Sequence, residues 1–127
     1  MIPATYDFSV VRGSAAAARE FSPLIFRVLN GSEALPYDDI RLSVYSKKNN
    51  DLKGVFLFRC SVGDGDGLVE TDEYAGEVAW FPTTEQTRQL PVGDAYYELE
   101  LRDGASEVVF LRGAVTGIGG LNDDEGS

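Results

Sequence analysis

GEVAWFPTTEQTRQLPVGDAYYELELRDG, residues 76–104, carries most of the signals that decide the fold. From Tyr96 to Arg102, Tyr97, Leu99 and Leu101 alternate with Tyr96, Glu98, Glu100 and Arg102. Successive strand side chains point to opposite faces, so this spacing predicts a strand with one buried and one wet face. Asp103-Gly104-Ala105-Ser106 has the turn chemistry of a hairpin. Glu107 to Thr116 is then its partner strand, with Val109, Leu111 and Val115 facing one way. Upstream, Gly76 to Phe81 places Val78 and Trp80 on one side and Glu77 and Ala79 on the other. Pro82, which has no amide hydrogen to donate, ends that strand. Thr83-Thr84-Glu85-Gln86 reads as a helix cap, and Pro91 limits the helix to one short turn from Thr84 to about Gln89. Leu90-Pro91-Val92-Gly93 then reverses the chain, and Trp80 is expected as the central core anchor.

The same alternation extends in both directions. Strands are predicted at Tyr6 to Arg12, Phe21 to Leu29, Ile40 to Ser46, Gly54 to Ser61 and Leu68 to Tyr74. Asn30-Gly31-Ser32, Lys47 to Asp51 and Gly63-Asp64-Gly65-Asp66-Gly67 separate them. Ser14 to Ala18 is too short for a stable helix and reads as a connector or part of an edge strand. Short strands at this spacing predict an all-β fold, an immunoglobulin-like Greek-key β-sandwich of about seven to nine strands with one short helical turn. Residues 1–121 form a single domain in this reading, and Asn122 to Ser127, lacking apolar residues, form a flexible acidic tail.

Composition excludes several functions. The chain has 127 residues, a net charge of -10 and no histidine, and Cys60 is its only cysteine. That length suits one core. The negative field opposes binding to nucleic acid. Without imidazole there is no Ser-His or Cys-His nucleophile and no common transition-metal ligand, so neither an enzyme nor a cofactor is expected. A lone cysteine gives no intramolecular disulfide. Met1 to Thr5 lacks a basic region followed by a long apolar run, and no apolar stretch approaches a membrane span, so no membrane association is expected.

Four groups of residues stand out as candidates. Asp64, Asp66, Glu70 and Asp72 concentrate oxygen ligands that a calcium ion could use, but Leu68, Val69 and Ala75 break the EF-hand spacing. A solvated loop is the plainer reading. Glu98 and Glu100 have the spacing of a glycosidase carboxylate pair, and equally that of any exposed sheet face. Cys60 follows Phe56 and Phe58 in alternation and reads as buried, inert filler. Tyr37, Tyr45, Tyr74 and Tyr96 could stack on sugars.

"YDFSVVRG" at Tyr6 to Gly13, the opening stretch, and "FLRGAVTG" at Phe110 to Gly117 together resemble a class of tailed-phage virion proteins. These are immunoglobulin-like domains similar to the N-terminal domain of phage baseplate upper proteins. In that class an early Y-D-F-x-x-x-R-G strand, an E-Q-T-x-x-L-P-x-G corner and a Y-x-L-E-L-x-D...L-x-G-x-V hairpin recur in order. The match covers both ends and the C-terminal half, whereas residues 14–75 show generic β patterning. Many such domains continue into a receptor-binding or fibre region; this chain stops soon after the closing strand, which implies an attachment module standing alone.

The resemblance implies a structural protein of the virion, synthesised in the host cytoplasm. It would assemble with other virion proteins, as a homo-oligomer, in the tail, baseplate or tail-fibre adaptor, or as head decoration. A carbohydrate- or cell-surface-binding module on the same sandwich is the alternative. The first and last strands, Tyr6 to Arg12 and Glu107 to Thr116, are expected at sheet edges where another chain can dock. Ile2, Tyr6, Phe8, Ile118 and Leu121 are the interface candidates.

Overall fold

The computed structural model describes residues 4–12, 23–30, 32–48, 52–71 and 74–119. Its strands are β1 (Ala4–Thr5), β2 (Phe8–Val11), β3 (Leu24–Arg27), β4 (Leu29–Asn30), β5 (Glu33–Ala34), β6 (Asp39–Lys48) and β7 (Leu52–Ser61). A 3-10 turn at Val62–Asp64 leads to β8 (Leu68–Glu70) and β9 (Glu77–Trp80), then helix α1 (Thr84–Arg88), β10 (Gly93–Asp103) and β11 (Ser106–Ile118). The expected Ser14 to Ala18 connector and the acidic tail lie outside the described residues.

Two sheets form an all-β sandwich. The larger runs β1/β2, β11, β10, β6, β7, and the smaller runs β3, β9, β8. β6 and β7 form a hairpin in the large sheet. The chain then crosses to β8 and β9, and α1 carries it back so that β10 lands beside β6. This return beside an earlier strand is the Greek-key path expected from the sequence.

The N-terminal strand runs parallel to β11 as two pieces, Ala4 opposite Leu111 and Phe8 opposite Val115. Between them the Tyr6 amide donates to the Arg112 carbonyl at 2.9 Å, and Asp7 Oδ1 accepts from the Ala114 amide at 3.0 Å. A side chain thus replaces the missing ladder acceptor. Gly113 sits under this break because any Cβ there would overlap the Tyr6 carbonyl.

Trp80 is fully buried, with Phe8 and Phe58 rings 5.7 and 6.3 Å away. Its indole N–H donates to Gln86 Oε1 at 3.0 Å. The same oxygen accepts from the Thr83 amide at 3.1 Å, and Thr83 Oγ1 accepts from the Gln86 amide, completing a capping box. Gln86 Nε2 donates to the Asp66 carbonyl at 2.6 Å. The cap read from Thr83 and Gln86 therefore also satisfies the polar edge of the core anchor. Arg12 closes the same end, donating from Nε to the Leu90 carbonyl at 2.6 Å across Gly117, where a Cβ would meet both Arg12 and the Pro91 carbonyl.

Strict alternation fails at three register shifts, one between β10 and β11 and two between β6 and β7. Leu99 faces Leu111, but Glu100 faces Val109, which leaves Phe110 as an extra residue on β11. Val109 therefore lies on the outer face, correcting its expected grouping with Leu111 and Val115, while Phe110 packs on the core against Phe26 at 5.7 Å. On β7, Val44 faces Phe58 and Tyr45 faces Phe56, so the extra Leu57 turns inward and Phe56 outward. The expected strand from Leu68 to Tyr74 stops at Glu70. Ala79 is buried although it lies on the outer face of the small sheet, flanked there by Ile25 and Val69.

Candidate functional site

The N-terminal piece forms one edge of the large sheet and β7 the other. β11 is not an edge along Leu111 to Ile118, because β1 and β2 pair with it there. That corrects the expectation for Glu107 to Thr116. Tyr6 remains 53% exposed and Ile118 49% exposed, as docking residues require. Phe8 does not: it is buried against Trp80 and belongs to the core. Ile2 and Leu121 lie outside the described residues. Beside this edge Thr5, Asp7, Asp94, Tyr96 and Arg112 line a hollow of 530 Å³.

Because of the β7 bulge, Phe56, Tyr45 and Tyr96 form an aromatic row across the outer face of the large sheet. Ring centroids are 5.8 Å apart for Tyr45 and Phe56 and 6.4 Å for Tyr45 and Tyr96. The Arg59 guanidinium lies 5.4 Å over Phe56 and donates to Ser43 Oγ at 2.9 Å. The Tyr96 hydroxyl donates to Glu98 at 3.3 Å; burial and then the Glu98 charge push its pKa up, with Arg112 opposing. Tyr37 and Tyr74 lie elsewhere. Tyr37 donates to Glu70, and Tyr74 lies under Arg27 at 5.4 Å. The four tyrosines thus divide between separate surfaces.

The carboxylates are engaged with neighbours. Glu100 pairs with Arg41 at 2.7 Å and Glu107 with Arg102 at 3.0 Å, so Glu98 and Glu100 stand in a mixed-charge face with partners of their own. In the acidic loop, Asp64 is exposed, Asp66 Oδ1 accepts from the Ser61 amide at 3.3 Å, and Glu70 accepts from Tyr37; Asp72 lies outside the described residues. Among the described residues no three His, Cys, Asp or Glu side chains gather to hold a metal ion. Cys60 is buried, and desolvation followed by the Asp66 and Asp64 charges pushes its thiol pKa far up, which disfavours the reactive thiolate.

Charge position along the strands is the feature that sequence reading passed over. Every lysine of the chain, Lys47, Lys48 and Lys53, falls at the end of the β6–β7 hairpin where the two strands are joined, and there Lys47 faces Lys53 in register. At the opposite end Leu35, Tyr37, Asp38, Asp39, Val62 and Glu70 line a hollow of 660 Å³. A lysine count by position would have flagged the first group, but only strand register separates the two. Among the described residues no helix is long and apolar enough to cross a membrane. No known protein-family profile matches the chain, and no curated protein sequence is significantly similar to it.

Proposed function

We propose that this chain is a non-enzymatic structural protein of a tailed-phage virion, assembling in multiple copies in the tail, baseplate or tail-fibre attachment region. The observation that carries the proposal is the packing of the segments on which the resemblance rests. The early strand, the helical corner and the closing strand meet as one unit: Tyr6 and Asp7 on Arg112 to Ala114, and Arg12 on Leu90 and Gly117. That unit holds an edge strand beside which no further strand lies among the described residues, the kind of edge another chain can extend. Mass spectrometry of purified virions, with immunogold labelling to locate the protein, tests the reading. Its absence from intact particles overturns it.

The aromatic row supports a second reading, a carbohydrate- or cell-surface-binding module. Exposed Phe56 and the neighbouring Tyr45 and Tyr96 offer ring surface for stacking, with polar groups close by. Glycan-array binding that is lost in Tyr96→Ala would support it; no binding to any glycan would remove it.

A further inference from the structure

The outer face of the large sheet sets one aromatic ring on each of three neighbouring strands and a small residue on the fourth. Phe56 on β7 is paired with Tyr45 on β6, Tyr45 with Tyr96 on β10, and Tyr96 with Ala114 on β11. Neighbouring strands lie about 4.8 Å apart, and the ring centroids follow them at 5.8 and 6.4 Å. The hollow of 530 Å³ begins where the rings end: Tyr96 and Ala114 line it together with Asp7, Asp94 and Arg112. Through Tyr96 the aromatic row and the polar hollow form one surface that runs across the strands.

The chemistry of this surface narrows what can occupy it. Carboxylates only accept hydrogen bonds and a guanidinium only donates them, and the hollow holds both kinds. An anionic ligand would meet Asp7 and Asp94 there, and a cationic one would meet Arg112 and, over the Phe56 ring, Arg59. A neutral hydroxyl donates and accepts, so it suits both sets. The rings require a ligand with apolar faces, whose C–H groups meet the negative face of each π system. Pyranose sugars combine the two properties. Successive rings are turned by 71° and 47°, so they do not make the flat platform that a crystalline polysaccharide would cover.

We propose that this surface binds a neutral, soluble oligosaccharide laid across the strands, its sugars against Phe56, Tyr45 and Tyr96 and the hydroxyls of its end residue among Asp7, Asp94 and Arg112. The site rests on the glycan-binding reading above and gives it a charge class, a direction and an end. It does not depend on whether the chain is found in virions.

An array of neutral and acidic glycans probed with the full chain tests it, followed by calorimetric titration of the best-bound glycan and of its single end sugar. Binding should be confined to neutral glycans, and a chain of about three sugars should bind at least about tenfold more tightly than the single sugar. Phe56→Leu and Tyr45→Leu keep apolar bulk but lose the ring. Each should weaken the oligosaccharide about tenfold and leave the single sugar unchanged. Asp94→Asn, which keeps an acceptor for the Thr116 hydroxyl, and Arg112→Gln should weaken both ligands about tenfold. Circular dichroism checks that each variant is folded; if Tyr45→Leu is not, Phe56→Leu, at a half-exposed ring, is read in its place.

An array with no bound glycan overturns this site and the glycan-binding reading together. Equal binding to sialylated or uronic-acid glycans overturns the site and leaves that reading standing. So does a neutral glycan whose binding survives all four substitutions, which would put its site elsewhere. Tetralysine bound more tightly than any glycan, and weakened in Asp94→Asn, would identify a cationic-peptide surface and overturn the proposal as well.

Discussion

Gln86→Met isolates the polar contribution of the corner between β9 and β10. Methionine keeps the length and most of the volume of glutamine but removes both polar atoms. In the parent, Gln86 is buried and joins three groups: the Trp80 indole N–H at 3.0 Å, the Thr83 amide at 3.1 Å and the Asp66 carbonyl at 2.6 Å. An unsatisfied buried donor costs about 1–3 kcal/mol. Trp80 is fully enclosed and bears that cost entirely, whereas Thr83 and Asp66 are half-buried and can turn partly to water. The expected loss is about 2–4 kcal/mol, a large part of the roughly 5–15 kcal/mol typical of a whole domain. At about 4 °C per kcal/mol for a domain of this size, Tm falls by about 8–16 °C. Urea unfolding followed by fluorescence measures it, since Trp80 is the chain's only tryptophan. Adding Trp80→Phe removes the stranded donor, so the double variant, followed by circular dichroism, should show a coupling of at least about 1 kcal/mol. A Gln86→Met variant within about 0.5 kcal/mol of the parent, or a cycle that is merely additive, would refute the reasoning.

Trp80→Ala should cost about 3–5 kcal/mol by opening a cavity beside Phe8 and Phe58; a calorimetric Tm within a few degrees of the parent contradicts it. Gly113→Ala should push the Tyr6 carbonyl away, destabilise the fold by about 2 kcal/mol and accelerate exchange of the Tyr6 amide, leaving the β6–β10 ladder protected. Unchanged protection at Tyr6 would show that the strand is not held by this approach. Burial raises the folded pKa values of Cys60 and Tyr97, so the unfolded chain loses these protons first. Their stabilisation is complete below the ordinary values of about 8.5 and about 10 and is lost as pH rises above them toward the folded values. Tm should therefore decline from about pH 9 upward, with a shallower onset in Cys60→Ala; a flat profile through about pH 11 contradicts this assignment.

Local chemistry made much of this fold legible. Tyr97, Leu99 and Leu101 are all buried as their spacing requires, and Thr83 with Gln86 caps the one short helix where the sequence places it. The burial of Trp80 and Cys60 follows from the same reading. The docking residues were less legible. Tyr6 and Phe8 look alike in sequence, yet one is exposed beside Arg112 and the other packs on Trp80. The break at Asp7 that divides them depends on Gly113 and Ala114, more than a hundred residues away.

By itself the sequence determined whatever depends on neighbours along the chain: strand alternation, the hairpin turn, the cap, and an acidic chain without imidazole. Tertiary structure decided whatever depends on a partner strand. Val109 and Phe56 turn outward because β11 carries an extra residue at Phe110 and β7 one at Leu57, mismatches invisible within either strand alone. β11 became interior because β1 and β2 return to pair with it in parallel. The separation of the lysines from Asp38, Asp39 and Glu70 is likewise a product of register. Charges adjacent in composition become distant when an extended ten-residue strand holds them at its two ends.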